Sequence, residues 1–363
     1  MTHRRDLGYW DEGRNLAEAS FYADALGPEP RVLPPVAFRS RRFSELEDEA
    51  VWTRDWVCVG AHEAIPENGD LLPFTVGTHG VHVQRTAGGI VARFNKAQHG
   101  GCRAVPLQCQ TGAKTKCSFT SCGYSRDRAA IPASELGDGT PEMHQYLGLR
   151  PERLLTAQAR SWGPLIFVNL DVAPVWPDAE LAALGRMGGF FGAHKPSRSR
   201  ELWLEYAANW KLMGESLAAG GPVTGERDVW MLAPTTLSDG TPAQAAWLFP
   251  NLVLIATAAS TAVVTLQPTA MGQTLCRLST YGADPQHDLA FWREQIGRRA
   301  AQAEAAHLDL ARFGTQHRPH TIAAAPPRQN GAAGAWMQAA LAARLARLPA
   351  DDLPQPLYQN PRG

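Results

Sequence analysis

The sequence predicts an α+β fold in two units, the first built of small antiparallel strands and the second of an antiparallel sheet with helices packed on it. Three observations carry this. Short β-type runs separated by Gly- and Asn-containing turns follow Val81 and continue to about residue 155. From Trp162 onward strand-like and helix-like segments alternate, and the last third returns to helical periodicity over 289–312 and 335–348. At 363 residues with 44% hydrophobic and 19% charged side chains, the chain has enough apolar material for two cores and too little charge for a disordered one.

Each element follows from a local pattern. Residues 1–43 are rich in Pro and Arg with weak periodicity, which suits an arm packing on the second unit. Ser44 and Glu47 have capping-box spacing, and Leu46, Ala50, Val51 and Val57 follow at helical intervals, so a helix is expected from Ser44 to Trp56. The turn Pro66-Glu67-Asn68-Gly69 ends that pattern; Val81, Val83 and the run 90–94 then form a hairpin across Ala87-Gly88-Gly89. The run 162–170 reads as one buried strand. Asp178 is expected to cap a helix reaching 191, followed by a strand at 201–206, a helix at 210–217 and strands at 252–255 and 262–267. The expected units are 1–43 (arm), 44–155, 156–350 and a Pro-rich tail at 351–363, with no internal repeat.

Charge narrows the function classes. With 35 basic and 35 acidic residues no net field draws the chain to nucleic acid or anionic lipid, which leaves a small molecule or a protein as partner. The first residues lack the apolar core of a signal peptide and no later run is long enough to span a bilayer, so no membrane association and a cytoplasmic location are expected. Of six cysteines, Cys102, Cys109, Cys117 and Cys122 crowd together while Cys58 and Cys276 stand alone. In a cytoplasmic chain such crowding points to metal or redox chemistry before disulfides.

Several segments, in order, resemble the large (alpha) subunit of Rieske non-haem iron oxygenases. Residues 47–60, ending in Trp56-Val57-Cys58-Val59-Gly60, resemble the helix leading into the first Rieske strand. Phe94-Asn95-Lys96-Ala97-Gln98-His99-Gly100-Gly101 and Cys117-Ser118-Phe119-Thr120-Ser121-Cys122-Gly123-Tyr124 resemble the two cluster-binding loops. Residues 162–170, Asn209-Trp210-Lys211-Leu212 with Glu215, and Phe249-Pro250-Asn251-Leu252 resemble landmarks of the catalytic domain. The resemblance implies an all-β Rieske-like domain at 44–155 and a helix-grip-type catalytic-like domain with an antiparallel sheet at 156–350. It also implies head-to-tail trimers in which one subunit's cluster serves the next subunit's iron.

The ligands that the resemblance calls for are incomplete. A Rieske cluster takes Cys-x-His and Cys-x-x-His, two thiolates on one iron and two imidazoles on the other. This sequence has Ala97-x-His99 and Cys117-x-x-Thr120. The iron histidines of the family follow the Asn-Trp-Lys-Leu helix, yet no histidine occurs from Glu215 to Arg227; the first ligand falls on Pro222 or Val223 and the bridging acid on Ala219 or Gly220. Glu304 or Ala305 aligns near the third ligand. On coordination chemistry alone neither a [2Fe–2S] cluster nor a mononuclear iron is expected, and His99, Cys102, Cys117 and Cys122 stand as a zinc or remnant-cluster set. Their bland reading is small buried thiols left on two loops. His79, His82, His317 and His320 read as ordinary residues, Glu215 as a structural hydrogen bond or ion pair, and Trp203, Trp210, Trp230 and Trp247 as core.

Scaffold kept and ligands altered imply a non-catalytic, alpha-like subunit that stabilises a catalytically complete Rieske oxygenase partner in a hetero-oligomer acting on a small organic substrate by hydroxylation or demethylation. Two alternatives follow from the same residues: an active oxygenase with relocated ligands, and a stand-alone protein binding a small molecule in the old pocket.

Overall fold

The computed structural model describes residue 33 and residues 36–39, 41–94, 155–191, 201–226, 228–316 and 331–348. Two short helices, α1 (Val36–Arg39) and α2 (Arg41–Glu47), run into one π-helical turn at Asp48–Trp52. The capping expectation at Ser44 is corrected: helix α2 is already under way at Arg41, and Ser44 lies exposed on it while Phe43, Leu46, Ala50 and Val51 turn inward. Burial of those four side chains sets the start, at about 1.5–3 kcal/mol for each larger one, against the smaller gain of a cap. The wider π turn sends the adjacent carboxylates of Glu47 and Asp48 to different places. Asp48 accepts from Thr78 N at 2.9 Å and Thr78 Oγ1 at 2.7 Å, and Glu47 meets Lys211.

The first sheet has six strands: β1 (Val57–Ala61), β2 (Leu71–Val76), β3 (His79–Thr86), β4 (Gly89–Phe94), β5 (Thr156–Trp162) and β6 (Leu165–Asn169). Their spatial order is β1-β6-β5-β4-β3-β2, each pair antiparallel. The single strand expected over 162–170 is a hairpin instead. Gly163 takes φ +54° and Pro164 follows it, so Trp162 closes β5 and pairs with Leu165 opening β6. Both strands therefore lie in the first sheet, although the second unit was expected to begin at 156.

The second sheet has seven strands: β7 (Glu201–Tyr206), β8 (Thr224–Glu226), β9 (Trp230–Thr236), β10 (Pro242–Leu248), β11 (Leu252–Ala256), β12 (Ser260–Ala270) and β13 (Gln273–Gly282). They are ordered β7-β13-β12-β11-β10-β9-β8 and all antiparallel. Four helices accompany it: α3 (Asp178–Gly188), α4 (Trp210–Leu217), α5 (Pro285–Gln316) and α6 (Ala332–Leu345). Asp178 sits in the first turn of α3 rather than at its cap, where Pro177 stands. The strand period of two divides the sheet's side chains. Met231, Ala245, Trp247, Val253 and Val264 join a core with residues of α4, α5 and α6, whereas Trp230, Leu248, Leu254 and Val263 join Phe167 of β6 and Leu181 of α3.

Buried polar bonds tie the two sheets together. Asn251, just after the cis Phe249–Pro250 bond, accepts from Cys58 N at 2.9 Å and donates to Cys58 O at 2.8 Å and Leu266 O at 3.2 Å. Arg344 on α6 pairs with Asp55 and donates to Asp228 O. Among the described residues no helix is long and apolar enough to cross a membrane.

Candidate functional site

Helix α4 is the element on which the family's chemistry would be built, and its beginning is fixed by Asn209. The side-chain oxygen of Asn209 accepts from Lys211 N at 3.0 Å, capping the helix, while its nitrogen donates to Phe38 O and Met271 O. Lys211, one residue into the helix, is fully buried; its ammonium pairs with Glu47 at 2.5 Å and lies 5.3–5.4 Å from the ring centres of Phe38, Phe43 and Trp210. Burial pushes the Glu47 carboxyl up and the Lys211 ammonium down, and each partner opposes the other's shift. The pair joins the π turn to α4 and leaves no free base there.

The middle of α4 crosses an aromatic layer. A Cβ on Gly214 would stand 2.2 Å from the Trp247 ring, so only glycine permits the approach. Trp210, Trp247, Trp336 and Phe249 form a closed circuit of ring contacts with centroid separations of 6.4, 5.7, 6.3 and 6.1 Å. Trp247, Met213 and Leu217 are fully buried, and Trp247 Nε1 is spent on Pro250 O at 2.9 Å. Trp210, Trp230 and Trp247 are core, as expected, whereas Trp203 is only half-buried, and the described side chains leave no accessible surface on Trp247 for a ligand to touch.

The end of α4, where the iron ligands were sought, is a hydrogen-bonded junction. Gly221 N donates to Pro234 O at 2.7 Å, and Thr235 Oγ1 donates to Ala219 O at 2.8 Å. Arg299 of α5 donates through Nη1 to Leu217 O and Ala219 O at 2.9 and 3.0 Å, and through Nη2 to Thr235 Oγ1 at 2.7 Å and Thr236 O at 3.3 Å. A cation at a helix C-terminus answers the carbonyls left over by the last turn. Gly220 is held so close to β9 that a Cβ would sit 2.3 Å from Pro234 O.

The candidate acids are not brought to this end. Glu304 accepts from Ala207 N at 2.8 Å, which places its carboxylate before the first turn of α4, a helix of eight residues and so about 12 Å long. Glu215 faces the first turn of α6, where a Cβ on Gly334 would come 2.5 Å from its Oε1. Among the described residues no group of three or more His, Cys, Asp or Glu side chains comes together as a metal site.

The remaining predicted residues divide by location. His99, Cys102, Cys109, Cys117 and Cys122 lie outside the described residues, as do His194, His317 and His320. His82 is fully buried in β3, where burial and the nearby Arg93 hold its imidazole down at about 3, so it is neutral. Cys58 and Cys276 are free, buried thiols; burial pushes Cys58 up to about 11 and Cys276 further, so neither is a thiolate at neutral pH. Sequence reasoning missed Arg299 entirely, and no local signal marks it among the other charges of α5. It also passed over the burial of Lys211, which the flanking Trp210 and Leu212 could have suggested.

No protein-family model matches the chain. The glycine betaine monooxygenase oxygenase subunit of Pseudomonas aeruginosa is 28% identical over 186 residues, 51% of this chain and 42% of that protein. The N,N-dimethyl phenylurea N-demethylase subunit alpha of Sphingobium sp. is 27% identical over 177 residues, 47% of this chain and 36% of its own length. The chain thus spans less than half the length of these curated relatives. Among solved structures, the quaternary ammonium Rieske monooxygenase CntA with γ-butyrobetaine superposes with TM-score 0.59 at 16% identity, covering 90% of this chain and 98% of that one. Naphthalene 1,2-dioxygenase bound to phenanthrene gives TM-score 0.60 at 13% identity, covering 90% and 95%. Over these stretches the chain is similar to Rieske oxygenase large subunits, and it shares their fold.

The comparison corrects one expectation. Reading donors from two short loops and one helix led to no Rieske cluster, no mononuclear iron and, at His99, Cys102, Cys117 and Cys122, a zinc or remnant-cluster set. The proteins this chain resembles are Rieske oxygenases, a class that uses both a [2Fe–2S] cluster and a mononuclear iron, so that absence does not stand. The physical reason is that a ligand count fixes coordination only when the register of the loops is fixed. Residues 95–101 and 117–124, which carry the candidate ligands of both loops, lie outside the described residues.

Proposed function

We propose that this Rieske-type large subunit contributes structure to an oxygenase assembly, stabilising a catalytically complete oxygenase chain that carries the turnover. One observation carries the reading: the end of α4 is closed onto β9 and α5 by Gly221, Thr235 and Arg299 rather than open toward a substrate. The filled aromatic layer beside it supports the same reading and speaks against a stand-alone small-molecule binder. A methylated amine is the substrate class proposed for the assembly, by analogy with glycine betaine and N,N-dimethyl phenylurea in the names of its relatives.

The test is co-expression with a Rieske oxygenase chain from the same source, followed by sizing and substrate-dependent oxygen uptake. A hetero-oligomer whose activity requires this chain is the expected result; a partner equally soluble and active alone defeats the proposal. The catalytic names of the relatives favour a second reading, an oxygenase in its own right. Turnover of a methylated amine by this chain and a reductase, without another oxygenase chain, would establish that reading instead.

A further inference from the structure

The joint between the two sheets holds a cluster of buried polar atoms that the function above does not use. Gln267 on β12 is 1% exposed, and among the described residues neither its Oε1 nor its Nε2 has a hydrogen-bond partner. Two residues earlier, Thr265 pairs across the ladder with Arg277 of β13, so by strand alternation Thr265, Gln267 and Arg277 share one face. That face meets the first sheet: Thr265 Oγ1 lies 3.7 Å from Cys58 Sγ, and Arg277 Nη1 donates to Val59 O. Arg277 is 2% exposed, stacked 3.9 Å from the centre of the Trp203 ring and paired with Glu201 at 2.8 Å, yet among the described residues its Nη2 has no hydrogen-bond partner. Thr269, at the register shift of β12, adds a buried hydroxyl without a hydrogen-bond partner among the described residues.

Diagonal neighbours on adjacent strands are within reach of long side chains, about 7–8 Å between Cα atoms. More than nine-tenths of buried polar groups in folded proteins are satisfied, and each orphan costs about 1–3 kcal/mol. A water molecule takes about three hydrogen bonds inside a protein, using donors and acceptors together. The Gln267 amide offers both kinds and Arg277 Nη2 a donor, while the Glu201 carboxylate already balances the guanidinium charge, which disfavours an anion. We propose that Gln267 and Arg277 bind an ordered water between the two sheets, a neutral donor–acceptor ligand that completes the joint.

Two measurements test this on the full chain. A crystal structure at high resolution is expected to show a solvent peak within hydrogen-bond distance of the Gln267 amide and Arg277 Nη2. Those atoms packed against carbon with no peak between them would overturn the site. The substitution Gln267→Met keeps length and removes the amide. Loss of a bound water lowers Tm, by about 2–6 °C for a chain of this size, whereas removal of a true orphan raises it. A rise in Tm overturns the proposal even if the variant crystallises poorly.

Discussion

His82 shows at the scale of one residue how burial becomes a pH response. Its imidazole sits in β3 with no exposed surface, and burial with Arg93 nearby lowers its pKa from the ordinary 6.5 to about 3. A depressed folded-state value means that the unfolded chain binds the proton first as pH falls. The stability associated with neutral His82 is therefore complete above about pH 6.5 and lost progressively toward pH 3. Between pH 7 and 5 this group alone should remove about 2 kcal/mol from the unfolding free energy. Urea melts across that range should show the slope in the natural chain, and His82→Gln should flatten it. The residue was read from sequence as ordinary, since nothing in Val81-His82-Val83 distinguishes a solvent-facing strand position from one sealed by a second layer.

At the scale of elements, α4 was legible almost residue for residue. Asn209 is a strong cap, Trp210 to Leu217 carry helical spacing, and Gly220, Gly221 and Pro222 end the pattern. What closes its far end was not legible, because Arg299 reaches Leu217 O and Ala219 O across sequence separations of 82 and 80 residues. Arg299→Met should cost about 2 kcal/mol, half-releasing the α4–β9 junction. Hydrogen exchange should then quicken at Ala219 and Gly221 while the Lys211 turn, held by Glu47, stays protected. Equal protection in both variants would mean that backbone bonds alone keep the junction shut. The strand pair β5–β6 failed in the opposite way, since an apolar run of strand composition conceals a turn when Gly163 and Pro164 are its only markers.

The whole molecule is joined at Asn251, which satisfies backbone groups of Cys58 in one sheet and Leu266 in the other. Removing that amide leaves buried donors and acceptors without partners in both sheets at once. Asn251→Ala should lower stability by about 2–4 kcal/mol and, by calorimetry, broaden one cooperative thermal transition into two as the first sheet loosens from the second. A single transition of unchanged width would locate the coupling in Arg344 and Lys211 instead. The sequence by itself determined the α+β class, the hairpin β3–β4, helix α4 and the likeness to Rieske large subunits, because period, caps and turn residues act over a few neighbours along the chain. Only the tertiary structure decided that Glu304 sits beside the start of α4, that Arg299 closes its other end, and that an aromatic circuit fills the layer between. Those facts depend on distances between groups far apart in the chain, and such distances are set by how the two faces of each sheet are covered, which no local pattern encodes.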